Sequence, residues 1–390
     1  MKARYFLLLP LFLFFFAHPS SGQGFAVSPC AVSEPYNSAH PKGVAIQSLL
    51  DGMVQMQVPG AVAAIWDANG TWTGTSGLAK LEDATPMGAC HLHYLQSIAK
   101  TYMAVVIVKL YEEGKIDLDA KAATYLPESL SKRIPGLEKV TVRMLLNHTS
   151  GLPEYNYDPT YIARLLQNPQ RIFSPAEYLD YVEKRKPLFE AGSKYRYLNF
   201  GYCLLSLMAD HITGDHAKYM RERIFEPLGL KNTFYRIEQG NTYGDMLVNS
   251  YWDRHSNGTL ENISVLQNSN VASMAGDDGI ITTPQEAILF LKGLMEGKLV
   301  KPESLAMMQD WVKDSKGKPR YGFGLSNAMF AGEKAIGHSG GGLGAGAELY
   351  YFPEKKVYMF LAINLGTVTS SPIHTKAEGL IEELHGVMVK

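Results

Sequence analysis

The sequence predicts an α+β sandwich: one antiparallel sheet built from both ends of the chain and flanked by the terminal helices, with an all-helical domain inserted in the middle. Three observations predict it. Strand-like runs gather at the two ends. Residues 61–67 and 71–78 surround Ala68-Asn69-Gly70, a hairpin signal, while residues 334–338, 345–352 and 357–364 alternate or run apolar between glycines and Pro353-Glu354-Lys355-Lys356. Helical periodicity precedes the first group, at about 43–57, and follows the last, at about 373–388. The stretch between is helix-rich and carries no internal repeat or low-complexity tract.

Taken in order, the chain opens with Lys2 and Arg4, an apolar block over 5–17 and the small residues Ser20-Ser21-Gly22. That tripartite pattern predicts a secretory signal peptide over 1–22 and a secreted or periplasmic protein; the block is too short for a comfortable membrane span, with an uncleaved anchor as the alternative. The mature domain is then 23–390, its sheet part at about 43–90 and 318–390 and its helical part at about 97–315. After the first helix, Pro59-Gly60 breaks the chain before the hairpin. An apolar run over 98–111 closes at Gly114 and reads as a helix buried on nearly all sides. Residues 117–127 are loop-like. Thr141 caps a short helix over 142–147, and Ser174-Pro175-Ala176-Glu177 is a capping box with proline at the first helical position. Residues 201–212 form a second buried helix stopped at Gly214. Thr283-Pro284-Gln285-Glu286 is a second capping box whose helix ends at Gly297, and another helix begins near Pro302.

With 46% hydrophobic and 19% charged residues the chain can bury a large core. Without Lys2 and Arg4 the 37 basic residues become 35, against 38 acidic, so the mature chain stands near −3 with no long basic run. That excludes a phosphate-binding surface of the kind nucleic acids need. In an exported protein Cys30 and Cys90 can pair, three free thiols being the other reading; Cys203 falls on an apolar helix and reads as core.

The chemistry centres on Gln96-Ser97-Ile98-Ala99-Lys100. Ser97 and Lys100 are three apart at the start of the buried helix, hence on one face. Burial disfavours the lysine ammonium, and a neutral Lys100 can take the proton of Ser97 and leave a nucleophilic alkoxide. The helix start adds positive potential where an oxyanion would form. About one hundred residues later, Tyr197-Leu198-Asn199 precedes the second buried helix. Tyr197 suits a proton shuttle, and the Asn199 amide can orient the lysine and a substrate amide. His338-Ser339-Gly340-Gly341-Gly342 ends a candidate strand, where small residues admit a substrate to the backbone. The Gly341 N–H can join that of Ser97 in an oxyanion hole. His91 and His93 lack a third ligand at a sensible spacing, so no metal is expected. Asp277-Asp278, between Gly276 and Gly279, reads as a solvated turn, with an acidic site as the other reading.

In this order and spacing, Ser-x-x-Lys, Tyr-x-Asn and (Lys/His)-x-Gly resemble the penicillin-recognising serine hydrolases, in their class C β-lactamase and D-alanyl-D-alanine carboxypeptidase branch. Further phrases carry the likeness: Leu145-Leu146-Asn147-His148-Thr149-Ser150-Gly151-Leu152, Glu226-Pro227-Leu228-Gly229-Leu230 and Tyr321-Gly322-Phe323-Gly324-Leu325. It covers roughly residues 43–365. The resemblance implies a β-lactamase/transpeptidase-like fold. It makes Ser97 an acylated nucleophile activated by Lys100, and Tyr197 the shuttle to leaving group and water. Asn199, His338, Ser339 and Gly340 would bind substrate, and the amides of Ser97 and Gly341 would form the oxyanion hole. It implies no cofactor, a small-molecule or peptide substrate (D-Ala-D-Ala-like, ester or β-lactam) and a monomer.

Histidine at the third motif is closer to D,D-peptidases and esterase-like members than to true β-lactamases, since it holds a carboxylate less firmly than lysine. Arg320 and Lys334 are the nearby cations, both read as solvated. The expected function is an exported serine hydrolase cleaving an amide or ester through an acyl-serine: D-alanyl-D-alanine carboxypeptidase-like or esterase-like, with a class C-type β-lactamase as the alternative. A non-hydrolytic β-lactam-binding sensor is the alternative of another class.

Overall fold

The computed structural model describes residues 36–236, 243 and 246–390; the signal segment 1–22 and Cys30 lie outside the described residues. Cys90 is disulfide-bonded, against the reading of three free thiols, and Cys203 is a free buried thiol. No helix among the described residues is long and apolar enough to cross a membrane.

The main sheet has nine strands, all paired antiparallel. From the amino-terminal part come β1 (Gly60–Asp67), β2 (Gly70–Lys80) and β3 (Thr85–Pro86). Four short strands of the middle section follow: β4 (His93–Tyr94), β5 (Thr233–Tyr235), β6 (Tyr251–Trp252) and β7 (Glu261–Asn262), then β8 (Ile280–Thr282). The carboxy-terminal part adds β9 (Val312–Lys313), β10 (Pro319–Tyr321), β11 (Ser326–Phe330), β12 (Glu333–Gly341), β13 (Gly346–Phe352) and β14 (Val357–Ile363). The spatial order is β3-β2-β1-β14-β13-β12-β11-β10-β9, so β1 and β14 join the two ends of the chain, with Ala61 opposite Ile363.

Both faces of this sheet are covered, and the period-2 alternation of strand side chains shows why. Val62 and Ala64 of β1, with Tyr358, Phe360 and Ala362 of β14, enter one core. Ala61, Ala63 and Ile65, with Met359, Leu361 and Ile363, enter the other. The second core is closed by the terminal helices Gly43–Gln55 and Pro372–Val389. The first is closed by the buried helix Ala99–Glu112, by Asn199–Thr213 and by Pro284–Met295. Strands buried on both faces read as continuous apolar runs, which is how residues 357–364 look in the sequence.

The predicted caps at Thr141 and Ser174 form, and the second capping box closes only on its Thr283 side. Thr141 accepts from the Met144 N–H, and Ser174 and Glu177 make a reciprocal capping box. The segment after that box is 3₁₀ rather than α-helical, over Pro175–Tyr181. Thr283 accepts from the Glu286 N–H, but the Glu286 carboxylate turns away to accept from the Asn232 N–H and the Thr233 hydroxyl. The middle section is not purely helical: β4, β8 and β5 form a small sheet, and β6 pairs with β7. These strands are two or three residues long, below the span at which alternation is legible. The five residues of β11 also escape the pattern, because they are only partly buried or exposed.

Close backbone approaches fix the segment that carries Ser97. Gln96–Ile98 is a 3₁₀ turn feeding the helix Ala99–Glu112, and Gln96 sits at φ 52°. β12 is pressed on that turn: a Cβ at Gly340 would lie 2.1 Å from the Leu95 carbonyl oxygen. β11 pairs with β12 only as far as Gly337, so His338–Gly341 keep a free edge beside the turn. Gly340→Ala is expected to force β12 off Leu95, lowering stability by about 1–3 kcal/mol, the usual cost of overpacking. Urea denaturation checks this; an unchanged midpoint would mean the strand has room.

Candidate active site

Ser97, Tyr197, Asn199, His338, Ser339 and Gly341 all line one cleft of about 790 Å³. Gly340 does not: alternation along β12 turns it to Leu95, so its expected contact with substrate is replaced by contact with the nucleophile turn. Ser97 comes from the 3₁₀ turn, Tyr197 and Asn199 from the entry to the helix Asn199–Thr213, and the histidine from the free edge of β12.

Lys100 is fully buried. Its Nζ lies 3.2 Å from Ser97 Oγ and donates to the Asp277 carbonyl oxygen at 2.8 Å. Burial pulls its pKa below the usual lysine range, while Asp277, Asp278 and Glu154 work in the other direction. The amine also sits 5.0 Å from the Tyr197 ring centroid and 5.8 Å from that of Tyr202. The Tyr197 hydroxyl is buried and makes no full hydrogen bond. Burial pushes its pKa up, with the Ser97 hydroxyl the main opposing influence. Tyr197 is therefore a proton-bearing phenol, not the phenol of lowered pKa that a cationic neighbour would produce.

His338 is neutral. Burial, with Lys100 adding to it, pushes its pKa down to about 3. Nδ1 lies 2.5 Å from the Ser339 carbonyl oxygen and must carry the proton; Nε2, 2.8 Å from the Tyr321 hydroxyl, then accepts from it. The Ser339 carbonyl thus fixes the tautomer, and the Tyr321 hydroxyl completes it as donor to Nε2, a task the sequence does not show. His148 likewise has a role that its sequence phrase does not show. It is buried, stands at φ 62°, accepts from the Leu198 N–H through Nδ1 and lies against Tyr197, ring centroids 4.3 Å apart. It holds the Tyr197-Leu198-Asn199 segment in place. Arg320 pairs with Asp314 and, like Lys334, stays out of the cleft. His93 is sealed in the core against Phe360.

The acidic groups correct the sequence reading most. Asp277 and Asp278 are buried and line the cleft rather than forming a solvated turn. Asp277 Oδ2 accepts from the Tyr155 hydroxyl at 2.7 Å, and Asp278 Oδ1 accepts from the Gly279 N–H. Glu154 is buried beside them, accepting from the Asn199 and Tyr155 N–H groups. Burial raises Glu154 and Asp278 to about 7 each, and raises Asp277 as well. Short polar stretches between glycines look alike whether solvated or buried, so only the two adjacent carboxylates hinted at this.

A sequence model described as Beta-lactamase matches residues 46–380. A penicillin-binding protein of Bacillus subtilis (strain 168) is 26% identical over 323 residues, 78% of this chain and 68% of that protein. A putative D-alanyl-D-alanine carboxypeptidase of Escherichia coli (strain K12) is 31% identical over 150 residues, 37% of this chain and 34% of that one, so the match spans about a third of its length. Among solved structures, a D-stereospecific amidohydrolase from Streptomyces sp. superposes with a TM-score of 0.73 at 26% identity, covering 86% of this chain and 97% of that one.

The raised carboxylates have a measurable consequence. In the unfolded chain they ionise near the usual carboxylate range of about 4; in the fold Glu154 holds its proton to about 7. Its contribution to stability is complete below the unfolded value and is lost as pH rises through the folded one. The stability difference between the wild type and Glu154→Gln should shift against the wild type by roughly 3 kcal/mol from acid to mildly alkaline pH. Urea titrations across that window check it; a pH-independent difference would show that Glu154 ionises alike in both states.

Proposed function

The chain belongs to the Beta-lactamase family, and from that membership and the site geometry we propose that it is an exported serine hydrolase that cleaves an amide or ester through an acyl-serine. The observation that carries the reading is the fully buried Lys100 amine 3.2 Å from a partly exposed Ser97 hydroxyl in an open cleft. Burial favours the neutral amine, which accepts the Ser97 proton as Oγ attacks the carbonyl carbon. The N–H groups of Ser97 and Gly341 stabilise the tetrahedral oxyanion. As that intermediate collapses, the bond to the leaving nitrogen or oxygen breaks, and the Tyr197 hydroxyl supplies its proton, recovering one from the Lys100 ammonium. Water then attacks the acyl carbon, the same groups taking its proton and returning Ser97 to its hydroxyl form. Asn199 and the free edge of β12 hold the substrate amide.

Amidase or esterase activity ranks above D-alanyl-D-alanine carboxypeptidase and β-lactamase activity. Peptide carboxy termini and penicillins both present a carboxylate. The described residues lining the cleft include no Lys or Arg, and the histidine standing at the third motif is uncharged. The signal pattern of residues 1–22 supports export.

Ser97→Ala should abolish both hydrolysis of a short-chain p-nitrophenyl ester and the mass gain on exposure to a labelled acyl donor, with the fold kept. Lys100→Ala should slow acylation by two or more powers of ten, on the order expected for a lost base. Stopped-flow release of nitrophenolate and intact-protein mass measure both. Labelling that persists without Ser97 would reject the nucleophile, and a lasting acyl adduct without turnover would favour a sensor over a hydrolase.

A further inference from the structure

The reaction outlined above needs the Lys100 amine aimed at Ser97, and the amine is tied to the Asp277 carbonyl. What holds that carbonyl is a chain of three side chains behind the cleft. We propose that Asp210, His216 and Tyr235 form a positioning relay, which fixes the Gly276–Gly279 turn so that the Asp277 carbonyl directs Lys100 onto Ser97. The proposal rests on the serine hydrolase reading and adds to it residues that do not line the cleft.

Hydrogen-bond direction is the first support. The Gly276 N–H can only donate, and it donates to the Tyr235 hydroxyl oxygen at 2.8 Å. Burial pushes the Tyr235 pKa up, so the phenol keeps its proton. That proton goes to His216 Nε2, 2.8 Å away. Nε2 is then bare, and Nδ1 carries the ring proton to Asp210 Oδ1 at 2.6 Å. The same carboxylate oxygen accepts the His216 N–H at 2.9 Å. Burial works to raise the Asp210 pKa, but the group ends below the usual carboxylate range, with the His216 side-chain hydrogen bond the largest opposing influence. Each donor thus meets an acceptor, and the bonds run one way from the turn to the surface, where the Asp210 side chain is 38% exposed.

Placement is the second. Asp210 stands on the helix Asn199–Thr213, His216 opens the helix His216–Met220, and Tyr235 ends β5. Three separate elements therefore converge on one backbone N–H. The chain just past β5 holds the other end of the turn as well, since the Arg236 N–H donates to the Gly279 carbonyl oxygen at 2.7 Å. From the inner side the turn rests on the helix Asn199–Thr213: a Cβ at Gly276 would lie 2.3 Å from the Tyr202 carbonyl oxygen. Gly276 and Gly279 stand at φ 83° and 107°, a path open to glycine, and one that glycine keeps only where outside bonds hold it.

The reach of the turn is the third. Between those two ties the Asp277 carbonyl oxygen accepts from Lys100 Nζ at 2.8 Å, and the same Nζ lies 3.2 Å from Ser97 Oγ. A carbonyl directs an amine only as well as its own peptide is held. Without the Tyr235 hydroxyl the Gly276 N–H loses its acceptor, and the peptides of the turn are free to rotate the neighbouring carbonyl off the amine. A catalytic group displaced by about 1 Å can lose on the order of a hundredfold in rate.

The test uses the mature protein and p-nitrophenyl acetate. The acylated fraction in intact-protein mass counts competent sites, and stopped-flow release of nitrophenolate gives the acylation rate constant and the half-saturating ester concentration. Tyr235→Phe removes the hydroxyl and keeps the ring. It should lower the rate constant by about tenfold or more, with the site count and half-saturation within about twofold of wild type. Asp210→Ala, at the exposed end, should lower it by at least about threefold, and Asp210→Asn, which keeps an acceptor for Nδ1–H, should recover most of that loss. Independently of activity, the ring-nitrogen chemical shifts of His216 should place the proton on Nδ1. A proton on Nε2 overturns the relay. So does a loss in Tyr235→Phe that lies wholly in the site count, which marks a contact that stabilises the fold and nothing more. Asp210→Asn as slow as Asp210→Ala overturns it too. Ser97-dependent acylation that Tyr235→Phe leaves at the wild-type rate sinks this inference and leaves the hydrolase standing; no Ser97-dependent acylation in the wild type sinks both.

Discussion

The structure depends on an amine kept out of water. Lys100 is wrapped by the rings of Tyr197 and Tyr202, tied to the Asp277 carbonyl and set beside Ser97. An ammonium in that position is costly without partners, and a free amine is costly without hydrogen bonds. The fold meets both demands by bringing three carboxylates near but leaving none of them in a direct ion pair with Nζ. The lysine's proton is thereby poised rather than locked, which is the condition for passing it to and from a hydroxyl.

Much of this arrangement was legible beforehand. The apolar run after Ile98, the stop at Gly114 and the spacing of Ser97 from Lys100 state a buried helix with its chemistry at one end. The alternation in β1 and the continuous apolar run in β14 state a sheet covered on both faces. Tyr197 and His338 could be placed by motif order. What could not be read was anything that depends on who faces whom. The carboxylates of Asp277 and Asp278 are written like a surface turn, and their burial is decided by Tyr155 and Lys100, more than a hundred residues away. Glu154, His148 and Tyr321 have the same problem: each is one polar letter in a phrase, and its function lies in a partner from another segment. The short strands of the middle section are set by pairing and not by their own pattern.

Histidine where lysine stands in β-lactamases of this branch changes the character of the cleft more than its size. With His338 uncharged, and its tautomer fixed by the Ser339 carbonyl, the β12 edge offers polarity without positive charge.

The pairing of β1 with β14 has a consequence for how the molecule comes into being. The strand that carries His338 hangs on β13, which hangs on β14, which needs β1 for its other edge. During synthesis the serine and its lysine leave the ribosome more than two hundred residues before that edge can be closed. A nascent chain thus holds Ser97 and Lys100 with no strand beside them until its last sheet strands arrive.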